Sequence, residues 1–175
     1  MRLIKKLLAI SLFASNIAFA YDFKGIEVGA KVDRDTIADK LGVRCMDSKQ
    51  EPGGFCFGET TITQTKAEVH VNYDADNIVE RISLTFSPDS FGTVKAALIE
   101  KFGKPDSDKT DKVQNGMGAI FEQNTVTWLK NGDMNGDMMY LHKYGKTVTE
   151  SKLVIVSKAS VKKTMESAAK RKGDI

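Results

Sequence analysis

The chain has 175 residues with 26 Lys and Arg against 23 Asp and Glu, a formal net charge of +3. Arg2, Lys5 and Lys6 belong to an N-terminal leader that holds no acid, so the rest balances at 23 against 23. No basic surplus remains for a nucleic-acid face, and nucleic acid is excluded as a partner.

That leader runs from Met1 to Ala20. Its basic start, its apolar run from Leu7 to Phe13 and the small residues of Ala18-Phe19-Ala20 make a secretory signal peptide cut after Ala20. The apolar run is too short for a permanent span, and no later stretch approaches the roughly 20 apolar residues that one requires. The sequence therefore predicts a periplasmic or secreted protein with no integral membrane segment. Residues 21–157 should form one α+β domain, followed by a basic helix or tail over 158–175, where six basic residues face two acids.

In chain order, Tyr21 to Val28 reads as a short strand or extended arm that Gly29 breaks. A compact helix follows, with Asp33 as N-cap, Asp35 in the first turn, Ile37 and Leu41 on one face, and Gly42 as the left-handed stop. Cys45 and Cys56 flank Pro52-Gly53-Gly54. In an exported chain this spacing is that of a structural disulfide across a tight loop; a redox or metal role would want Cys-x-x-Cys or a nearby His. Thr60 to Thr65 reads as a strand rich in β-branched residues.

From Glu68 to Tyr73 the alternation is clean, with Val69, Val71 and Tyr73 on one face. Asp74 to Asn77 turns the chain, and Ile82, Leu84 and Phe86 form the inward face of the return strand. The next helix has Ser87 as cap, Pro88 at its first position, Phe91, Val94, Leu98 and Phe102 as its apolar face, and Gly103 and Pro105 as its stop. Asp106 to Gly116 is polar and reads as a loop. Ala119 to Gln123, Thr125 to Lys130, Met138 to Tyr144 and Lys152 to Ser157 read as four strands of an antiparallel meander, with turns at Gln123-Asn124, Asn131 to Asp137 and Gly145-Lys146. Ser160 to Lys172 is a basic helix. The expected fold is thus α+β, with two helices on a mostly antiparallel sheet and a C-terminal basic helix. Helix followed by strands occurs twice, which suggests a tandem helix-plus-hairpin repeat.

Several of these segments resemble a known family. Val28-Gly29 through Leu41-Gly42 resembles the helix signature of the small outer-membrane assembly lipoproteins of the SmpA/OmlA type. Gly103-Lys104-Pro105 resembles the same ending in a second half, and Tyr73 to Asn77 with Val79 to Ile82 is similar to the family's hairpin. The duplicated layout also resembles β-lactamase-inhibitor-like proteins. Such a resemblance implies a fold used for protein contacts, with no catalytic residues to carry over. Those lipoproteins begin at an acylated cysteine, whereas Tyr21 follows the cleavage site here.

Chemistry-bearing patterns are few. His70 sits on the polar face of its strand, and His142 shares a face with Tyr140 and Tyr144, but no nucleophile motif accompanies either. Asn131, Asp133 and Asn135 match the first half of a calcium loop; position twelve falls on His142 where a Glu is required, so a hairpin tip is the better reading. Met134, Met138, Met139, Tyr140 and Tyr144 form a candidate partner surface, with core filling as the alternative. Lys162, Lys163, Lys170, Arg171 and Lys172 form a basic tail that is either solvated or touches anionic envelope surfaces. The expected function is an exported interaction module without catalytic activity or cofactor, inhibitor-like or an envelope-assembly accessory, whose partner is another envelope protein. The alternative is a small-ligand-binding protein or hydrolase with a site built from dispersed residues.

Overall fold

The computed structural model describes residues 21–49, 52–114 and 116–173; the leader expected over 1–20 lies outside them. A two-stranded arm comes first, β1 (Asp22–Phe23) and β2 (Ile26–Glu27), followed by helix α1 (Arg34–Leu41). Four strands then run back and forth: β3 (Arg44–Asp47), β4 (Gly54–Ile62), β5 (Thr65–Tyr73) and β6 (Val79–Phe86). A 3-10 turn, Pro88–Ser90, leads into helix α2 (Phe91–Phe102). The second set is β7 (Ser107–Gln114), β8 (Ile120–Leu129), β9 (Met138–His142) and β10 (Ser151–Val156), and helix α3 (Lys158–Gly173) follows. These eight longer strands make one antiparallel sheet in the order β3-β4-β5-β6-β10-β9-β8-β7. The α+β class holds, with three helices among the described residues.

Local chemistry explains most boundaries. The Asp33 carboxylate accepts from the Asp35 backbone N–H at 2.7 Å, and Gly42 takes the left-handed conformation that lets its N–H reach the Ala38 carbonyl. Ser87 caps the 3-10 turn, and α2 ends at Gly103, whose φ of 83° suits a residue without Cβ. The β5–β6 turn is built on Asp74, whose carboxylate accepts from the N–H groups of Asp76 and Ile78 at 2.9 Å each.

The main core lies between α1, α2 and one face of the sheet. Ile37, Leu41, Val94 and Leu98 come from the helices, and Val69, Val71, Ile82, Leu84, Val126, Trp128, Met139, Leu141, Leu153 and Ile155 from the strands. The arm closes this layer: Tyr21 is buried and meets Phe102 edge to face at 5.5 Å. Lys40 of α1 donates to the Gly25 carbonyl and Lys101 of α2 pairs with Asp22, so the arm is tied to both helices. The Trp128 indole donates to the Gly103 carbonyl at 2.9 Å, which satisfies the buried N–H and pins the end of α2 to β8.

The expected two-helix arrangement accounts for only one face. α3 packs on the other, where Val161 meets Val154 and Val156. β10 is consequently buried on both sides, and its run of apolar residues without alternation is the sequence trace of that position.

Three segments differ from expectation. Asp106 to Gly116 is mostly strand: β7 is an edge strand paired only with β8 and exposed nearly throughout, so it needs no apolar face, and its charges discourage edge-to-edge association. The turn expected at Gln123-Asn124 is absent, because β8 is continuous through it. Asn124 is held in the strand by its side chain, which donates to Asp108, the Lys109 carbonyl and Thr110, while Lys95 of α2 pairs with Asp108 at 2.6 Å. Finally, β4 begins at Gly54, and the turn falls inside the expected Thr60–Thr65 strand, at Thr63-Gln64.

Both central residues of that two-residue turn have positive φ, 46° and 67°. This matches the twist of a hairpin, yet it places a β-branched residue in the left-handed region at a cost of about 1–2 kcal/mol.

Cys45 and Cys56 are direct partners across β3 and β4 and form a disulfide. The same hairpin depends on Gly54, where a Cβ would clash with the Met46 carbonyl and the Tyr73 hydroxyl, itself donating to that carbonyl. Gly54→Ala should lower stability by about 1–3 kcal/mol in chemical denaturation, the usual range for overpacking. Reduction of the disulfide should lower it by roughly 3 kcal/mol by the loop-entropy relation, measured as a shift of the denaturation midpoint with dithiothreitol present.

Candidate functional site

The face of the sheet opposite α1 and α2 is only partly covered. Its register aligns outward side chains in rows. One row runs Phe57, His70, Ser83, Val154, Tyr140, Thr127 across β4, β5, β6, β10, β9 and β8. A neighbouring row runs Glu59, Glu68, Thr85, Lys152, His142, Thr125 over the same strands.

Two groups of rings stand at opposite ends of this face. Phe57 stacks on His70 with centroids 6.1 Å apart, and Phe55 lies 5.8 Å from Phe57. Across the sheet, Tyr140 and His142 meet edge to face at 5.1 Å, and Phe121 and Tyr144 at 5.8 Å. Apart from the exposed His70, all of these side chains are half-buried. Tyr144 is fixed by its backbone: its N–H donates to the Gln123 side chain at 2.8 Å and its carbonyl accepts from it at 2.7 Å.

Of the five residues expected to form a partner surface, four are accessible. Met134 is exposed in the loop between β8 and β9, and Met138, Tyr140 and Tyr144 are half-buried. Met139 is a correction: it is fully buried in the main core, because alternation along β9 sends it and Leu141 toward the helices. Phe55 and Phe57 were hidden within what reads as a disulfide loop. Their signal was the alternation Phe55-Cys56-Phe57, with Cys56 inward and both rings outward.

The other candidates take structural roles. Asp133 accepts from the Asn135 N–H at 2.8 Å, and Asn131 occupies the left-handed region of a short 3-10 turn, so the calcium-like segment is closed by its own turn bonds. No group of three or more His, Cys, Asp or Glu that could hold a metal lies among the described residues. Lys163 pairs with Glu80 of β6 at 3.7 Å, and Lys162 approaches Glu166 on its own helix at 3.9 Å. The side chains of Lys170, Arg171 and Lys172 lie outside those described. None of the described helices is long and apolar enough to cross a membrane.

On this face the proton affinity of His142 is clearly displaced. Burial, assisted by Lys152 directly across the β9–β10 pair, lowers its pKa below the usual 6.5. Its Nδ1 lies 3.0 Å from the Thr125 hydroxyl. This contact orients the imidazole ring. Comparison with family models, curated proteins and solved structures returned no match.

The depressed value makes neutral His142 the folded form. Its contribution to stability is therefore full above the unfolded pKa of about 6.5 and is lost as pH falls through the folded value. His142→Gln should lose less thermal stability than the wild type between pH 7.5 and 5, and the wild-type imidazole should titrate below 6.5 by NMR.

Proposed function

We propose that this chain is an exported protein-binding module that acts by contact and not by catalysis, with the partly open face of its sheet as the contact surface. The observation that carries this reading is the pair of accessible ring clusters, Phe55-Phe57-His70 and Tyr140-His142-Phe121-Tyr144, on one rigid surface. Aromatic side chains combine large contact area with few rotatable bonds and are enriched at protein interfaces. Between and beside them, Glu59, Glu68, Thr85 and Lys152 supply the polar groups that fix orientation.

The partner is another envelope protein. A leader read in the sequence and a disulfide both belong to an oxidising, exported setting. The layout also supports the tandem reading: a helix followed by a four-stranded meander occurs twice, and the halves meet at β6 and β10. An inhibitor-like or envelope-assembly role fits such a scaffold, in which two similar halves combine into one surface wider than either.

Crosslinking and pull-down from a periplasmic extract should recover a stoichiometric partner with the wild type. The double variant Phe57→Glu and Tyr144→Glu should lose it while melting normally. Capture by that variant at wild-type level would place the contact elsewhere, and absence of any partner for the wild type would remove the reading.

A further inference from the structure

We infer that the opposite, helix-bearing side of the sheet holds a separate binding site for a small amphiphilic anion, a carboxylate with an apolar body of medium-chain size. A cavity of about 330 Å³ lies between α2, the β1–β2 arm and the β4–β5 turn. Leu153 and Ile155 of β10 and Val94 and Leu98 of α2, all buried, form its floor, and the half-buried Ala97 and Phe102 of α2 form its open apolar wall. The volume lies at the lower end of the roughly 300–1,000 Å³ of small-molecule sites and is about twice the ~150 Å³ apolar cavity that takes up benzene. A cavity with such walls selects hydrocarbon, since a polar body would lose its hydration without replacement.

The rim selects the head group. Lys24, Lys101 and Asp22 also line the cavity. Lys101 is 2.8 Å from the Asp22 carboxylate, which neutralises that acid. The Lys24 ammonium instead donates to the Thr60 hydroxyl at 2.8 Å and has no carboxylate partner among the described residues. Two lysines against one carboxylate leave the rim positive. An ammonium has three protons to donate, so the bond to Thr60 positions Lys24 and leaves others for an anion.

The cavity is bordered by two two-residue hairpin turns, Lys24-Gly25 and Thr63-Gln64, which hold Lys24 at the tip of the arm with the positive φ values that such turns require. Lys24 thus stands at the tip of the arm as the rim lysine without a carboxylate partner among the described residues, its ammonium 5.7 Å from the centroid of the Phe23 ring.

The test uses the 15N-labelled protein titrated with decanoate below its micellar range, with decanol and decyltrimethylammonium as comparisons. Decanoate should bind saturably at one site and shift the resonances of Thr61, Thr63, Ala97 and Lys101. Lys24→Ala should weaken decanoate about tenfold while changing decanol less than about twofold. Ala97→Trp, at a half-exposed lining position, should block both, with thermal melting used to confirm that each variant folds. Absence of saturable decanoate binding, shifts confined to the ring-bearing face, or equal affinity for decyltrimethylammonium would each overturn the proposal. These readings on the wild type stand even where a variant fails to fold.

Discussion

The structure depends on the pairing of β10 with β6. Each four-stranded meander is held by short connections, but the two become one sheet only where the last strand of the second lies antiparallel to the last strand of the first. Leu153 opposite Leu84 and Ile155 opposite Ile82 join the helix-side core, while Val154 and Val156 point to the other face. Those two outward valines would be an apolar stripe in the middle of a solvated surface if α3 did not lay Val161 on them. The C-terminal helix covers the seam through Val161, while Lys162 and Lys163 pair with Glu166 and Glu80.

Division of the sheet into two faces separates the two proposed kinds of recognition. On one side α1, α2 and the arm build a dry layer, and where the arm, α2 and the β4–β5 turn do not fully meet they leave an apolar cavity with a cationic rim. On the other side the strands present rings in fixed register, a surface suited to another macromolecule. The disulfide serves both. Cys56 points into the core and ties β4 to the short edge strand β3, and in doing so it holds Phe55 and Phe57 outward. At the opposite edge, β7 needs no such staple, because its charged sequence and the Lys95–Asp108–Asn124 contacts keep it paired on one side only.

Elements whose cause is local were legible in the sequence. Asp33 and Gly42 bound α1, Ser87 to Ser90 opens the way into α2, and the alternation of β5 and β6 with Asp74 between them defines their hairpin. The misread segments are those where a distant partner decides the outcome. Ser107 to Gln114 has no apolar alternation because an exposed edge strand has no face to bury, so polarity there looks like loop. Asn124 carries turn chemistry, yet Asp108, Thr110 and the Lys109 carbonyl give its amide partners within a continuous strand. Thr63 and Gln64 form a tight turn that their own preferences oppose. The ring-bearing face was half legible: Tyr140 and Tyr144 follow from alternation after Met138, whereas Phe55 and Phe57 lay within an apparent loop and meet the other rings only through four intervening strand pairings.

Residue order alone settled the α+β class, the disulfide, the two capped helices and the hairpin between them, because capping, alternation and turn chemistry act over a few residues. Strand order, the placement of α3 on the second face, the burial of Met139 and the cavity under the arm were decided by tertiary packing. They follow from which apolar faces meet, and pairs such as Leu84 with Leu153 are too far apart in the chain for any local pattern to announce them.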